Sequence, residues 1–390
     1  MVSCRLSAVG YHPHMRVLHL LAADRWTGAA ATALALVEAL RSTGVDAHLA
    51  YRPGHNLETR LAGLDWALPL LAKERSIGDL RRARAAVRGA AAGCDLVHCH
   101  LPHDHLLARL ALRRASPPIV RSVRHPRHLR RDPYYRWLLR DTAAVALANA
   151  AMEPLAARVP ELSGAVRVVL PPAVAPRFHR GLAGAATRAR LGIPAGAVVS
   201  GTVGKLAGGR GQDVFLHALA GAPATWGLVI GGGEVEKHLR KLALRLGVAN
   251  RLTFAGYVEA GLEHLYAAMD LFVFPAAGSD HGHRAIAEAS ACGVPTLAAD
   301  LPGVRDLVEV GSTGALWPAD DAAALAVLLT EWSGDATRRE SAGRAAAARA
   351  AGWTPVGLAT TALALYASCL REPTNGRSAH AGPDIPSGHP

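Results

Sequence analysis

What this chain of 390 residues lacks narrows it first. No apolar run reaches the roughly 18 residues needed to span a bilayer, and no cationic head followed by an apolar stretch opens the chain. The expectation is a cytoplasmic protein. Aromatic residues make up only 5% of the sequence, and only four of its 43 basic residues are lysine. The five cysteines, at 4, 94, 99, 292 and 369, are odd in number and have no C-x-x-C spacing. That excludes a disulfide framework and predicts free thiols.

Half of the residues are apolar, enough for a large core, and the length suits two domains. The net charge of +12 favours a polyanionic partner, whether nucleic acid, an anionic membrane surface or a phosphorylated small molecule. Charge alone does not choose among them. Scarce aromatics near most basic clusters argue against stacking on single strands, so nucleic acid is not the expected partner.

Apolar runs alternate with helical patterns along the chain. Strands are expected at Val17–Ala22, Val45–Tyr51, Asp95–Cys99, Pro118–Val123, Ala143–Ala148 and Val166–Leu170, with helices between them. After a Gly/Pro/Arg-rich connection ending near Pro194, a second series runs through Val198–Val203, Trp226–Ile230, Leu252–Ala255, Leu271–Phe274, Thr296–Ala298 and Ala315–Trp317. The fold class is therefore α/β, two doubly wound Rossmann-like domains facing across a cleft, at residues 1–175 and 176–370. The last helix is free to cross back to the first domain. Residues 371–390 read as a disordered tail. Residues 1–14 read as a loose extension, with Met15 an alternative start.

Four stretches carry chemistry. Gly201-Thr-Val-Gly204-Lys205-Leu-Ala-Gly-Gly-Arg210-Gly211 joins a strand to a helix through two cations that suit a diphosphate; the bland alternative is a flexible surface turn. Gly231-Gly232-Gly233-Glu234 is a weaker glycine run, equally readable as packing. In Phe274–Pro295, Asp280 lies in a glycine-bearing loop and Glu288 on the helix that follows, a place where helix N–H groups attract anions and carboxylates accept hydroxyl protons. Asp95-Leu-Val-His98-Cys99-His100 puts two histidines on one strand face, with His103 and His105 beyond. No recognised zinc spacing completes a metal site there, and the strand-end position makes His100 the best candidate. Arg121 to Arg140 holds seven arginines with Tyr134, Tyr135 and Trp137 among them. A solvated face is the default reading. Arg124 and His125, at a strand end, are candidates for an acceptor or phosphate, and the later arginines and aromatics for an anionic membrane. No G-x-G-x-x-G follows the first strand, which argues against a dinucleotide dehydrogenase.

In order, these features resemble the retaining glycosyltransferases of family 4, which have a GT-B fold. The resemblance spans about residues 15–370 and rests on MRVLHLLAADRWTGAAATALALVEAL, DLVHCHLPHDHLLARLAL, RVVLPPAVAPRFH, GTVGKLAGGRGQDVFLHAL, RLTFAGYVEAGLEHLYAAMDLFVFP and GSDHGHRAIAEASACGVPTLAADLPGVRDLV. It implies a nucleotide-diphosphate sugar as donor substrate, with no cofactor and no metal, and a hydroxyl acceptor, expected to be a cell-envelope glycan or a lipid-linked saccharide. The first domain would then take the acceptor and the second the donor. By position, Lys205 and Arg210 would bind the donor diphosphate, Glu288 the ribose, and Asp280 the sugar hydroxyls. Gly28 would face the phosphates and His100 would lie beside both substrates, with Gly282 and His283 lining the donor loop. Asp280 stands where the family has Glu, Lys205 where Arg is common, and His281-Gly282-His283 where Gly-Phe-Gly is frequent. Those departures motivate an alternative: a catalytically impaired homologue that binds nucleotide sugars.

Overall fold

A computed structural model describes residues 15–25, 27–112, 117–275 and 283–370, and only the backbone of His55, Asn56 and His283. The expected extension and tail, together with Asp280 and Gly282, lie outside the described residues.

The first half of the chain forms β1 (Arg16–Leu21), α1 (Gly28–Ser42), β2 (Asp46–Tyr51), α2 (His55–Leu61), β3 (Ala67–Leu68), α3 (Ile77–Ala91), β4 (Leu96–Cys99), α4 (Pro102–Ala111), β5 (Ile119–Val123), α5 (Pro133–Leu139), β6 (Thr142–Leu147), α6 (Glu153–Ala157) and β7 (Val166–Val169). These strands make one parallel sheet in the order β3-β2-β1-β4-β5-β6-β7. The second half forms α7 (Ala185–Arg190), β8 (Val198–Val203), α8 (Gln212–Gly221), β9 (Thr225–Ile230), α9 (Glu236–Arg245), β10 (Leu252–Gly256), α10 (Leu262–Ala267), β11 (Leu271–Phe274), α11 (His283–Ala291), β12 (Thr296–Ala299) and β13 (Gly314–Trp317). Its sheet, also parallel, runs β10-β9-β8-β11-β12-β13.

Local chemistry explains the elements. Strands buried on both faces are apolar end to end, as in Leu-Phe-Val-Phe of β11. Helix starts are marked by side-chain oxygens that satisfy otherwise orphaned N–H groups: Thr27 accepts from Ala30 N at 3.3 Å and Ser76 from Asp79 N at 3.1 Å. Helix α9 buries a stripe of Leu239, Leu242 and Ala243 and leaves its charges outside. In both sheets the winding direction reverses beside the first strand, between β1 and β4 and again between β8 and β11. In sheets wound this way, loops at the C-terminal ends of such strand pairs lead in opposite directions, the usual place of a ligand crevice.

Three helices close the fold: α12 (Ala322–Gly334), α13 (Ala336–Ala350) and α14 (Pro355–Leu370). Helix α12 packs on α8 and α13 on α11, whereas α14 crosses back to α1, β6 and β7. The halves also touch through Ala150 N, which donates to Asp306 Oδ2 at 2.6 Å, and through Gly303, where a side chain would strike Asn149. No single described helix is long and apolar enough to cross a membrane. The four described cysteines are free thiols.

Candidate active site at the two switch points

In the second half, the loop after β8 carries Lys205 and Arg210 and is held from two sides. Leu206 N donates to Gly232 O at 3.0 Å and Val235 N to Leu206 O at 3.3 Å, so the glycine run after β9 lies directly against it. Gly231 sits at φ 136°, and a Cβ there would overlap Gly204 O, which gives this run a packing reason of its own. The loop ends at Gly211, at φ 74°, where a Cβ would overlap the carbonyl oxygen of Pro275. The chain after β11 is thereby pressed against the start of α8. Gln212, the first residue of α8, donates from its amide to Lys205 O at 3.1 Å.

Lys205 Nζ stands 3.3 Å from Glu234 Oε2, both side chains well exposed. Hydrogen bonding from its own backbone and from the Lys205 ammonium holds the Glu234 carboxyl below the usual range. An exposed pair of this kind is screened by solvent and holds the ammonium only weakly, so an incoming phosphate can take the cation over at small cost.

Glu288, in the second turn of α11, is only 4% exposed. Tyr266 Oη donates to its Oε2 at 3.2 Å and Arg284 Nε to its Oε1 at 2.7 Å. Tyr266 is fully buried between Phe178 and Phe272. Neither of these anchors was visible in the motif reading, although Arg284 lies one helical turn before Glu288.

In the first half, Asp104 in the first turn of α4 ties the ends of β1 and β4 together. It accepts from Ala22 N at 2.6 Å, Leu101 N at 2.7 Å and His100 N at 3.1 Å. Burial pushes its pKa up to about 7, against the opposing pull of these N–H groups and of Arg121. Gly28 opens α1, directly after its cap Thr27.

His100 is 1% exposed, with both ring nitrogens engaged: Nε2 lies 3.0 Å from His19 Nδ1 and Nδ1 lies 3.4 Å from Ser122 Oγ. His98, on the same sheet face, meets Tyr366 Oη of α14 at 2.7 Å and Ser122 Oγ at 2.8 Å. Burial drives both histidines well below the usual imidazole value, and His19 down to about 3, so all three rings are neutral. His103 points elsewhere, to Glu74 at 2.9 Å, and His105 is buried beside Thr142. The sequence reading missed His19. Strand parity could have found it, since β1 pairs with β4 with His19 opposite His98.

Donor atoms of His19, His98 and His100 lie within 4.8 Å of one another, close enough for a metal ion. The His19 and His100 rings, however, have centroids 5.3 Å apart and planes within 15°, the arrangement of an N–H of one ring aimed at the nitrogen of the other. That geometry fits a hydrogen bond between the two rings. Arg124 and His125 follow β5 directly and are partly buried; His125 Nδ1 accepts from Arg127 N at 3.1 Å and so caps the next turn.

Comparison with known proteins agrees with this architecture. Residues 26–174 match the family model Glycosyltransferase Family 4, and residues 185–349 match Glycosyl transferases group 1. D-inositol 3-phosphate glycosyltransferases of Streptomyces avermitilis and Streptomyces bingchenggensis are 30% and 32% identical, over 68% and 57% of this chain. The matches take in 64% and 51% of those relatives' own lengths. A solved Anabaena structure, HepE in complex with UDP and glucose, superposes with a TM-score of 0.74 at 21% identity, covering 89% of this chain and 97% of that one. On two matched models, in order, over both of its sheets, the chain belongs to the family 4 glycosyltransferases and has their GT-B fold.

Proposed function

We propose that this protein transfers a sugar from a nucleotide-diphosphate sugar to a hydroxyl acceptor with retention at the anomeric carbon. The carrying observation is the interlock of loops 204–211 and 231–235 with Pro275. It sets Lys205, Arg210 and Pro275 at the switch point between β8 and β11, where cations and helix N–H groups suit a diphosphate. In the step itself the anomeric carbon–oxygen bond to the diphosphate breaks while the acceptor oxygen bonds to that carbon on the same face. The acceptor proton passes to the departing phosphate oxygen. Lys205 and Arg210 stabilise the charge that grows there, Glu288 accepts ribose hydroxyls beside Tyr266 and Arg284, Asp280 with Gly282 and His283 contacts the sugar, and Gly28 and His100 face it from the first domain. No cofactor or metal is assigned a part.

Relatives named for D-inositol 3-phosphate and a neighbour holding UDP support a uridine nucleotide donor and an anionic acceptor. The surface supports an acceptor presented on a membrane. Tyr134 and Trp137 are 46% and 37% exposed among exposed Arg127, Arg130 and Arg131, with Arg124 and His125 leading inward. An envelope glycan or lipid-linked saccharide at the inner face of an anionic bilayer fits that chemistry.

The test is binding and turnover with a panel of UDP-, GDP- and ADP-sugars. One of them should raise the melting temperature and be slowly hydrolysed, and Lys205→Ala and Arg210→Ala should abolish the shift. Absence of any nucleotide-sugar binding sinks the proposal. A second reading, a nucleotide-sugar-binding protein without turnover, is motivated by His281-Gly282-His283 and Asp280 in place of the usual family residues. It requires tight nucleotide binding with no transfer to any acceptor extract.

A further inference from the structure

Five buried side chains form one continuous row beneath the C-terminal ends of β1, β4 and β5. Tyr366 Oη meets His98 Nδ1 at 2.7 Å; His98 Nε2 meets Ser122 Oγ at 2.8 Å; Ser122 Oγ meets His100 Nδ1 at 3.4 Å; His100 Nε2 meets His19 Nδ1 at 3.0 Å. None of the five is more than 3% exposed. At the far end, His19 Nε2 is buried with no partner among the described residues.

A neutral imidazole carries one N–H and one lone pair, and a hydroxyl donates once. Each imidazole therefore accepts on one side and donates on the other, and with Ser122 doing the same all four bonds run in one sense. If they run from His19 toward Tyr366, all three histidines carry their proton on Nδ1. If they run the other way, all three carry it on Nε2. A mixed state would set two N–H groups, or two lone pairs, against each other, or, with Ser122 accepting from both neighbours, leave its buried O–H with no further acceptor among the described residues. The phenol at one end belongs to α14, the last described element, and the ring third along is His100.

We propose that Tyr366, His98, Ser122 and His19 are positioning residues that couple the seating of the last helix to the tautomer and orientation of His100. The row stands by itself; its bearing on turnover rests on the reading that His100 lies beside the donor.

Nitrogen-15 NMR of the full chain, without ligand, tests the row. All three histidines should show one shared tautomer, and Tyr366→Phe should change the signals of His19 and His100 as well as that of His98. Mixed tautomers, or a change confined to His98, would overturn the proposal. Should Tyr366→Phe fail to fold, Ser122→Ala cuts the row in its middle and should uncouple His98 from His100. For turnover, UDP-glucose hydrolysis is compared in two variants. The Asn side chain in His19→Asn places an N–H where Nδ1 was, whereas the amide of His19→Gln replaces Nε2. His19→Gln should lower kcat about ten-fold with KM little changed, and His19→Asn should stay near the parent. Equal rates in the two would remove the role in turnover while a shared tautomer kept the row. Titration with Co²⁺ is the last arm: a tetrahedral visible band lost in His19→Asn would make the cluster a metal site and refute the hydrogen-bonded row.

Discussion

Single residues divide between those that hold the site and those offered to a ligand. In the proposed function Lys205 belongs to the second kind: it is exposed and paired with the equally exposed Glu234. Lys205→Ala should leave the melting temperature within about 2 °C while weakening nucleotide-sugar binding at least ten-fold, as read by thermal shift and calorimetry. Tyr266 belongs to the first kind. Removing its hydroxyl leaves Glu288 with one buried oxygen short of a donor, so Tyr266→Phe should cost about 1–3 kcal/mol in denaturant unfolding. Protonation is legible at this scale too. His19 and His128 are held at about 3 by burial, and His98, His100 and His105 well below their ordinary value. Above the unfolded pKa of about 6.5 their neutral state carries no penalty. As pH falls below it, the unfolded chain takes up protons that the folded one refuses, so stability drops from about pH 6.5 toward 3. The raised Asp104 opposes this between about 7 and its ordinary value, but one carboxyl is outweighed by five imidazoles. The denaturant midpoint should therefore fall steadily between pH 7 and 5; a flat profile would contradict the buried neutral rings.

At the level of elements, periodicity carried most of the information. Strands such as Val198–Val203 and Leu271–Phe274 lie where their apolar runs put them, because a strand covered on both faces has few other ways to read. The short pieces did not announce themselves: β3 is two residues long, α2 has a masking mixture of polar residues, and α7 lies inside the stretch that composition marked as connection. Propensity is weak over six residues, and tertiary packing decides. In the candidate site, single positions on strands and loops could be named from motifs. The hydrogen-bond partners could not, because Tyr366 lies 268 residues from His98 and no local pattern records that meeting. Two glycines in one loop give a test of how that loop is held. Gly209 and Gly211 have similar positive φ values of 71° and 74°, but a Cβ at Gly209 meets nothing within 4 Å while one at Gly211 meets Pro275. Gly209→Ala should cost about 1 kcal/mol. Gly211→Ala should cost several times that and abolish nucleotide binding along with it, as seen in paired melting and binding curves.

Across the whole molecule, the two-sheet architecture was legible from two runs of alternating strands and helices. The tie between the halves was less so, since it depends on contacts such as Ala150 with Asp306 that no composition reveals. Helix α14 contributes Leu358, Leu363, Leu365 and Tyr366 to the core of the first sheet, alongside α1. At about 1.5–3 kcal/mol for each large apolar side chain, their burial is comparable to the entire stability of an ordinary domain. A chain ending at residue 354 should accordingly lose protection of β1, β6 and β7 in hydrogen exchange, while β8, β9 and β11 keep theirs; uniform loss across both sheets would contradict this.

That crossing has a consequence for how the protein is made. The ribosome delivers β1 long before α14, so the first sheet must wait until residue 370 has emerged before its apolar groove is covered. Until then the nascent first half is a client in need of shelter, and stalling or truncation late in synthesis strands it unfinished beside a second half already able to close.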